Sequence, residues 1–170
     1  MVTLANVFRL LNTLKADGVV QDYALGGATA VLFYAEPTRT YDVDVFVSLP
    51  PARNSALVSL QPIYEWAETR GFAAEAEHVL IHGVPVQFLA AHNALAEDAV
   101  VTARTLEYAG VPVRVIAPEH LIALALQVGG ARQRERAWQL LESGPIDRQQ
   151  LRSLLASHAI NVEIDDAHEK

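Results

Sequence analysis

The 170-residue chain contains no cysteine. That absence excludes disulfide frameworks, thiolate zinc sites and cysteine nucleophiles, and it sets the expectation of a cytoplasmic protein. Long hydrophobic runs are missing as well: the most apolar stretches, residues 24–35 and 121–131, fall short of the roughly 20 residues that a membrane-spanning helix needs. At the start of the chain Arg9 and Lys15 interrupt an amphipathic pattern with no continuous apolar core, so these residues read as part of the fold and not as a signal peptide. Basic charge is scarce, with 13 Lys and Arg against 20 Asp and Glu and a net charge of -7. No extended nucleic-acid surface and no attraction to an anionic membrane are expected, and any polyanion must be met by a local basic patch. There is no internal repeat or low-complexity linker, no Gly-x-Ser-x-Gly elbow, no Walker loop and no Gly-x-Gly-x-x-Gly.

What is present is a core. At 51% apolar and 19% charged residues, a chain of this length reads as one folded unit. Leu4, Val7, Leu11 and Leu14 recur at helical spacing between Thr3, a candidate N-cap, and Gly18, predicting a helix over 4–16. A strand is expected near 20–25, then a buried helix over 28–35 opened by Gly26-Gly27 and closed by Pro37, then a strand over 41–47. Residues 52–70 read as helical, and His78–Ile81 with 84–89 as a hairpin about His82-Gly83. A helix near 93–103 precedes a second strand pair, Arg104–Tyr108 and 111–116, around Ala109-Gly110. Beyond Pro118 the chain turns helical, with a break at Gly129-Gly130, a helix over 131–142 and a capping box of Asp147 with Gln150. The pattern predicts an α+β fold: a mixed β-sheet with flanking helices over 1–117, a C-terminal helical subdomain of the same unit over 118–160, and a frayed tail over 161–170.

Chemistry concentrates in Tyr41-Asp42-Val43-Asp44-Val45-Phe46-Val47. A period of two sends Tyr41, Val43, Val45 and Val47 to one face and Asp42, Asp44 and Phe46 to the other. Carboxylates two apart on a strand start roughly 6.5–7 Å apart at the backbone and can converge on a hard cation such as Mg²⁺. Paired metals are the usual clamp on the attacking and leaving oxygens of phosphoryl transfer. Alternating Asp is also common on a solvated strand face, so the preceding residues matter. Leu25-Gly26-Gly27 ends a strand and begins a helix, an arrangement whose bare N–H groups suit phosphate.

The combination of strand, Gly-Gly, short helix and Arg39-Thr40-Tyr41-Asp42-Val43-Asp44 resembles the nucleotidyltransferases of the DNA polymerase β superfamily, and within them the AbiEii-like and related minimal bacterial branch. The family motif is hydrophobic-Gly-Gly/Ser followed by Asp-hydrophobic-Asp/Glu-hydrophobic, and the stretch Val115 to Leu124 with Pro118-Glu119-His120-Leu121 is similar to the start of its helical end. The resemblance implies Gly26 and Gly27, with Arg39 and Thr40, as nucleotide-binding residues, Asp42 and Asp44 as catalytic metal ligands, Mg²⁺ or Mn²⁺ as cofactor, and an NTP as substrate. The acceptor it implies is an RNA end, a protein hydroxyl or a small molecule.

The chain departs from that pattern twice. A third carboxylate is expected on a neighbouring strand, where this chain has Gln87, an amide that can ligate through oxygen but is no general base. Glu75 and Glu77 either stand in for it or face solvent. Where AbiEii-like proteins carry a Lys and a Lys-Asp-x-x-Asp stretch, this chain has Arg132, Arg134 and Arg136, either replacement phosphate contacts or a solvated face paired with Glu135 and Glu142. His78 and His82 have the separation of a helical metal pair but fall in a strand and a turn. Tyr64, Trp66 and Trp138 read as core or interface residues. Three functions stay open: a metal-dependent nucleotidyltransferase, a nucleotide-binding pseudoenzyme, and a toxin–antitoxin-type module that binds a protein partner.

Overall fold

The structure is a computed structural model and describes residues 4–35, 42–51 and 59–164. In chain order its elements are α1 (Leu4–Ala16), β1 (Asp22–Gly26), α2 (Gly27–Val31), β2 (Val43–Ser48), α3 (Gln61–Thr69), β3 (Ala74–Glu75), β4 (His78–Ile81), β5 (Val84–Ala90), α4 (Ala94–Val101), β6 (Arg104–Tyr108), β7 (Val111–Val115), α5 (Pro118–Val128), α6 (Ala131–Ser143) and α7 (Arg148–Ser157). The strands form one mixed sheet in the order β3-β4-β5-β2-β1-β7-β6. β1 and β2 are antiparallel, whereas β2 with β5 and β1 with β7 are parallel. The fold is therefore the α+β arrangement expected, a mixed sheet followed by a helical end. Thr3, Pro37, Tyr41 and residues 52–58 lie outside the described residues, so the expectations placed on them meet no structural description.

Local chemistry accounts for the boundaries. Asn93 caps α4 by accepting from the Ala96 N–H, and Asp147 caps α7 by accepting from the Gln150 N–H, one half of the expected capping box, while its own N–H donates to Glu119 and not to the Gln150 side chain. Pro62 and Pro118 sit in the first turns of α3 and α5, where a missing N–H costs nothing. Within the described residues the helix expected over 52–70 is confined to Gln61–Thr69, and two further differences concern length. The helix expected over 28–35 starts at Gly27 and runs only to Val31, after which Phe33 and Tyr34 bond back three residues to Ala30 and Val31 and Ala35 bonds back four to Val31. The two-residue strand β3 is too short for a periodic pattern and was not expected. Residues 161–164 carry no helix or strand, with Ile164 partly buried against the core.

The sheet has two covered faces. On one, Tyr23, Leu25, Val43, Val45 and Val47 are buried, and Tyr23 Oη donates to Asn12 of α1 over 2.5 Å. The other face carries Gly26, Asp44, Phe46, Gln87 and Leu89, and the α5–α6 pair lies over it. Buried Leu121, Ile122, Ala137, Leu140, Leu151 and Leu155 knit α5, α6 and α7 together. Among the described residues no helix is long and apolar enough to cross a membrane.

Candidate active site

The site begins at the junction of β1 and α2. Gly26 pairs with Asp44 across the β1–β2 ladder, and Gly27, at φ +57°, turns the chain into the helix. Both glycines are required by what stands above them. A Cβ on Gly26 would come within 2.5 Å of the Phe46 ring, and one on Gly27 would overlap the Asp44 carboxylate. Buried Thr29, one turn into α2, donates its hydroxyl to the Asp42 main-chain carbonyl over 3.0 Å and fixes where β2 begins.

Asp42 and Asp44 share the face that the period of two assigns them. Asp42 is the more exposed, at 42% for its side chain, and its Oδ2 lies 3.2 Å from His78 Nε2. Asp44 is largely enclosed. Burial, reinforced by the neighbouring Asp42 carboxylate, raises its carboxyl above the ordinary range, against the opposing pull of Arg136 and His78. It lines a cavity of about 150 Å³ with Gly27, Phe46, Leu89, Leu124, Val128, Gln133 and Arg136.

Gln87 is the register partner of Asp44 on the parallel strand β5, so it shares that face, where the expected third carboxylate would stand. Carrying the Val79–Val86 pairing one residue on sets His78 against Gln87, and Glu75 pairs with His78. A polar row thus crosses the sheet from Glu75 through His78, Gln87 and Asp44 to Gly26. Glu77, in the β3–β4 turn, takes a 3.5 Å contact from the Gln87 amide nitrogen.

Of the arginine cluster, Arg136 lines the Asp44 cavity, Arg134 lines a separate groove with Trp138 and Glu142, and Arg132 is exposed. Arg39 and Thr40 lie outside the described residues. His78 and His82 are not brought together: His82 sits at φ +52° in the hairpin turn and packs edge-on against Phe72 at 5.1 Å. Trp66 donates to Asp17 over 2.9 Å and is covered by Arg70, so it packs within the chain. The sequence reading missed Thr29 and the His78–Asp42 contact. A threonine two residues after Gly-Gly was the only available signal for the first, and the second depends on a hairpin docking beside β2.

The donor set can be tested against a divalent cation. Among the described residues no three His, Asp or Glu side chains converge. Mg²⁺ is nevertheless commonly held by one or two carboxylates plus substrate phosphates. Two carboxylates on one strand end, the inner one desolvated over a glycine that leaves its oxygen room, fit that pattern.

No protein-family model matches the chain, and no curated protein matches it in sequence. Solved structures do. A nucleotidyltransferase-like protein from Paracoccidioides brasiliensis, described as antigenic, aligns over 92% of this chain and 87% of its own at a TM-score of 0.56 and 18% identity. The fold is the nucleotidyltransferase fold. The antibiotic-resistance factor ANT(2'')-Ia is similar over 92% of this chain and 91% of its own, with a TM-score of 0.53 and 15% identity. ANT(2'')-Ia in complex with adenylyl-2''-tobramycin matches over 93% of this chain and 98% of its own, with a TM-score of 0.52 and 16% identity. A nucleotidyltransferase fold at these identities speaks for the scaffold, and what the scaffold does here depends on the residues just described.

Proposed function

We propose that the chain transfers a nucleoside monophosphate from an NTP to an acceptor hydroxyl, releasing pyrophosphate, with Asp42 and Asp44 holding Mg²⁺ or Mn²⁺. The observation that carries this reading is the Asp44 carboxylate seated over the bare Gly27 in a cavity shared with Arg136. The cation, when bound, would neutralise phosphate charge and bring the α-phosphate to the acceptor. The remaining work belongs to side chains. Backbone N–H groups of Gly26 and Gly27, with Arg39 and Thr40, are assigned to the phosphates, and Arg136 offers its guanidinium to the triphosphate. Phe46, Leu89, Leu124 and Val128 keep one wall of the cleft apolar. The acceptor oxygen attacks the α-phosphorus as the bond to the β-bridging oxygen breaks. Gln87 takes no proton, so the acceptor's proton passes to solvent and rate comes from positioning and charge.

Leu25-Gly26-Gly27, Asp42-Val43-Asp44-Val45 and Pro118-Glu119-His120-Leu121 support placing the chain in the AbiEii-like branch, which makes a protein partner of toxin–antitoxin type and a cytoplasmic setting part of the proposal. One observation favours a second reading, a nucleotide-binding pseudoenzyme: the third position is Gln87, directly opposite Asp44, and not a carboxylate. The deciding experiment incubates the protein with each labelled NTP, Mg²⁺ or Mn²⁺, and total RNA, cell extract or small-molecule hydroxyl acceptors. A labelled product lost in Asp42→Ala/Asp44→Ala supports transfer. Nucleotide binding without any labelled product supports the pseudoenzyme.

A further inference from the structure

Gln87 carries an amide whose two ends are chemically opposite, a donor NH2 and an acceptor oxygen. Which end meets Asp44 decides whether the third position helps or opposes a cation. The structure supplies a group that bears on the choice. Glu77, from the β3–β4 turn, places Oε2 3.5 Å from Gln87 Nε2. An ionised carboxylate only accepts hydrogen bonds, so it takes the NH2 and leaves the amide oxygen for the other side of β5. That other side is β2, whose register partner to Gln87 is Asp44. The turn that presents Glu77 is short and defined, with Ala76 at φ +55° and Glu75 paired to His78 on either side of it.

We infer that Glu77 is a positioning residue for the proposed metal site: it fixes the Gln87 amide with its oxygen toward Asp44, making Gln87 a neutral oxygen ligand at the third position. Glu77 itself does not ligate, in agreement with the lack of three converging acidic or histidine side chains among the described residues. The inference rests on the proposed reading that Asp42 and Asp44 bind a divalent cation. Its chemistry is specific to this chain, because a carboxylate at the third position has two equivalent oxygens and needs no such orientation.

The test is a double-mutant cycle on the full chain, with Mn²⁺ alone as the probe and its affinity followed by the paramagnetic signal of the free ion. Glu77→Ala and Gln87→Ala are each expected to weaken Mn²⁺ binding by roughly tenfold, the scale of losing an outer-shell partner. The double variant is expected to bind no more weakly than Gln87→Ala alone. Glu77 is exposed, so the unfolding midpoint should stay at the parent value and show that the loss is local. If Glu77→Ala weakens binding equally in the parent and in Gln87→Ala, Glu77 acts only through its charge and the positioning role is overturned. If Glu77→Ala leaves affinity unchanged, the role is overturned too. Failure of the underlying reading looks different: the parent chain then takes up no Mn²⁺, or takes it up equally after Asp42→Ala/Asp44→Ala, and both proposals fall.

Discussion

The carboxylate of Asp44 occupies the space that a side chain at Gly27 would need. The two residues lie seventeen positions apart, on the strand and the helix that flank the cleft, and the fit between them fixes the deepest point of the site. Gly27→Ala should therefore fail twice. Left-handed backbone alone costs a β-carbon-bearing residue about 1–2 kcal/mol, and the new methyl must push Asp44 aside. Denaturant unfolding should show a loss of at least that size, and Mn²⁺ binding should weaken in whatever fraction remains folded.

Asp44 also makes stability depend on pH. Its carboxyl is raised in the folded state, so between the ordinary carboxylate value of 3.8 and the raised value the native chain holds more protons than the unfolded one. Stability falls as pH rises through that window, and the penalty persists above it. Asp44→Asn should remove the dependence, unfolding at higher denaturant than the parent at pH 7 and at about the same denaturant once both carboxyls are protonated. A parent chain whose stability does not fall across that window, relative to Asp44→Asn, would contradict the burial described.

Gln87 faces Asp44 across the β2–β5 pair, so a carboxylate there would join the site and not solvent. Gln87→Asp should tighten Mn²⁺ binding roughly tenfold, equivalent to about 1.4 kcal/mol, and should raise the yield of labelled product in the transfer assay. Unchanged affinity would show that the amide position does not meet the cation.

The arginines separate by face. Arg136 lines the Asp44 cavity and Arg134 a different groove, so Arg136→Ala should weaken NTP-dependent thermal protection while Arg134→Ala leaves it unchanged. Equal losses would return the cluster to a diffuse electrostatic role.

Away from the cleft, Ala109 and Gly110 form the β6–β7 turn with φ of +48° and +79°. Two residues at positive φ are the signature of the type I′ hairpin turn, in which Asn is preferred to Ala at the first position. Ala109→Asn should stabilise the chain by about 0.5–1 kcal/mol in urea titration.

Much of this arrangement was legible in the residues because it is written locally. The Gly-Gly break, the alternation of Asp42 through Val47 and the paired turn residues Ala109-Gly110 each act over a few positions, and their elements formed close to where expected, the helix after Gly-Gly ending four residues early. The facing of Asp42 and Asp44 followed from strand periodicity alone. What stayed hidden depends on neighbours distant in sequence. Nothing around Gln87 says that β5 will lie parallel to β2, nothing near His78 announces Asp42, and the run Arg132 to Arg136 does not reveal which guanidinium turns inward. The two-residue β3 was invisible because its pairing, and not its composition, makes it a strand.

The parallel pairing of β2 with β5 and of β1 with β7 has a kinetic consequence. Leu25 must find Val115, ninety residues downstream, before the sheet can close around the site. Such long loop closures are slow, because their entropy is lost before the contacts form. Gly27 and Asp44 can meet early, but Gln87 and then Arg136 arrive only when later segments dock. On the ribosome, a nascent chain therefore carries its paired aspartates through the synthesis of 92 further residues, the last of them Arg136, and until its helix closes the cleft over them the pocket proposed to hold a nucleotide is incomplete.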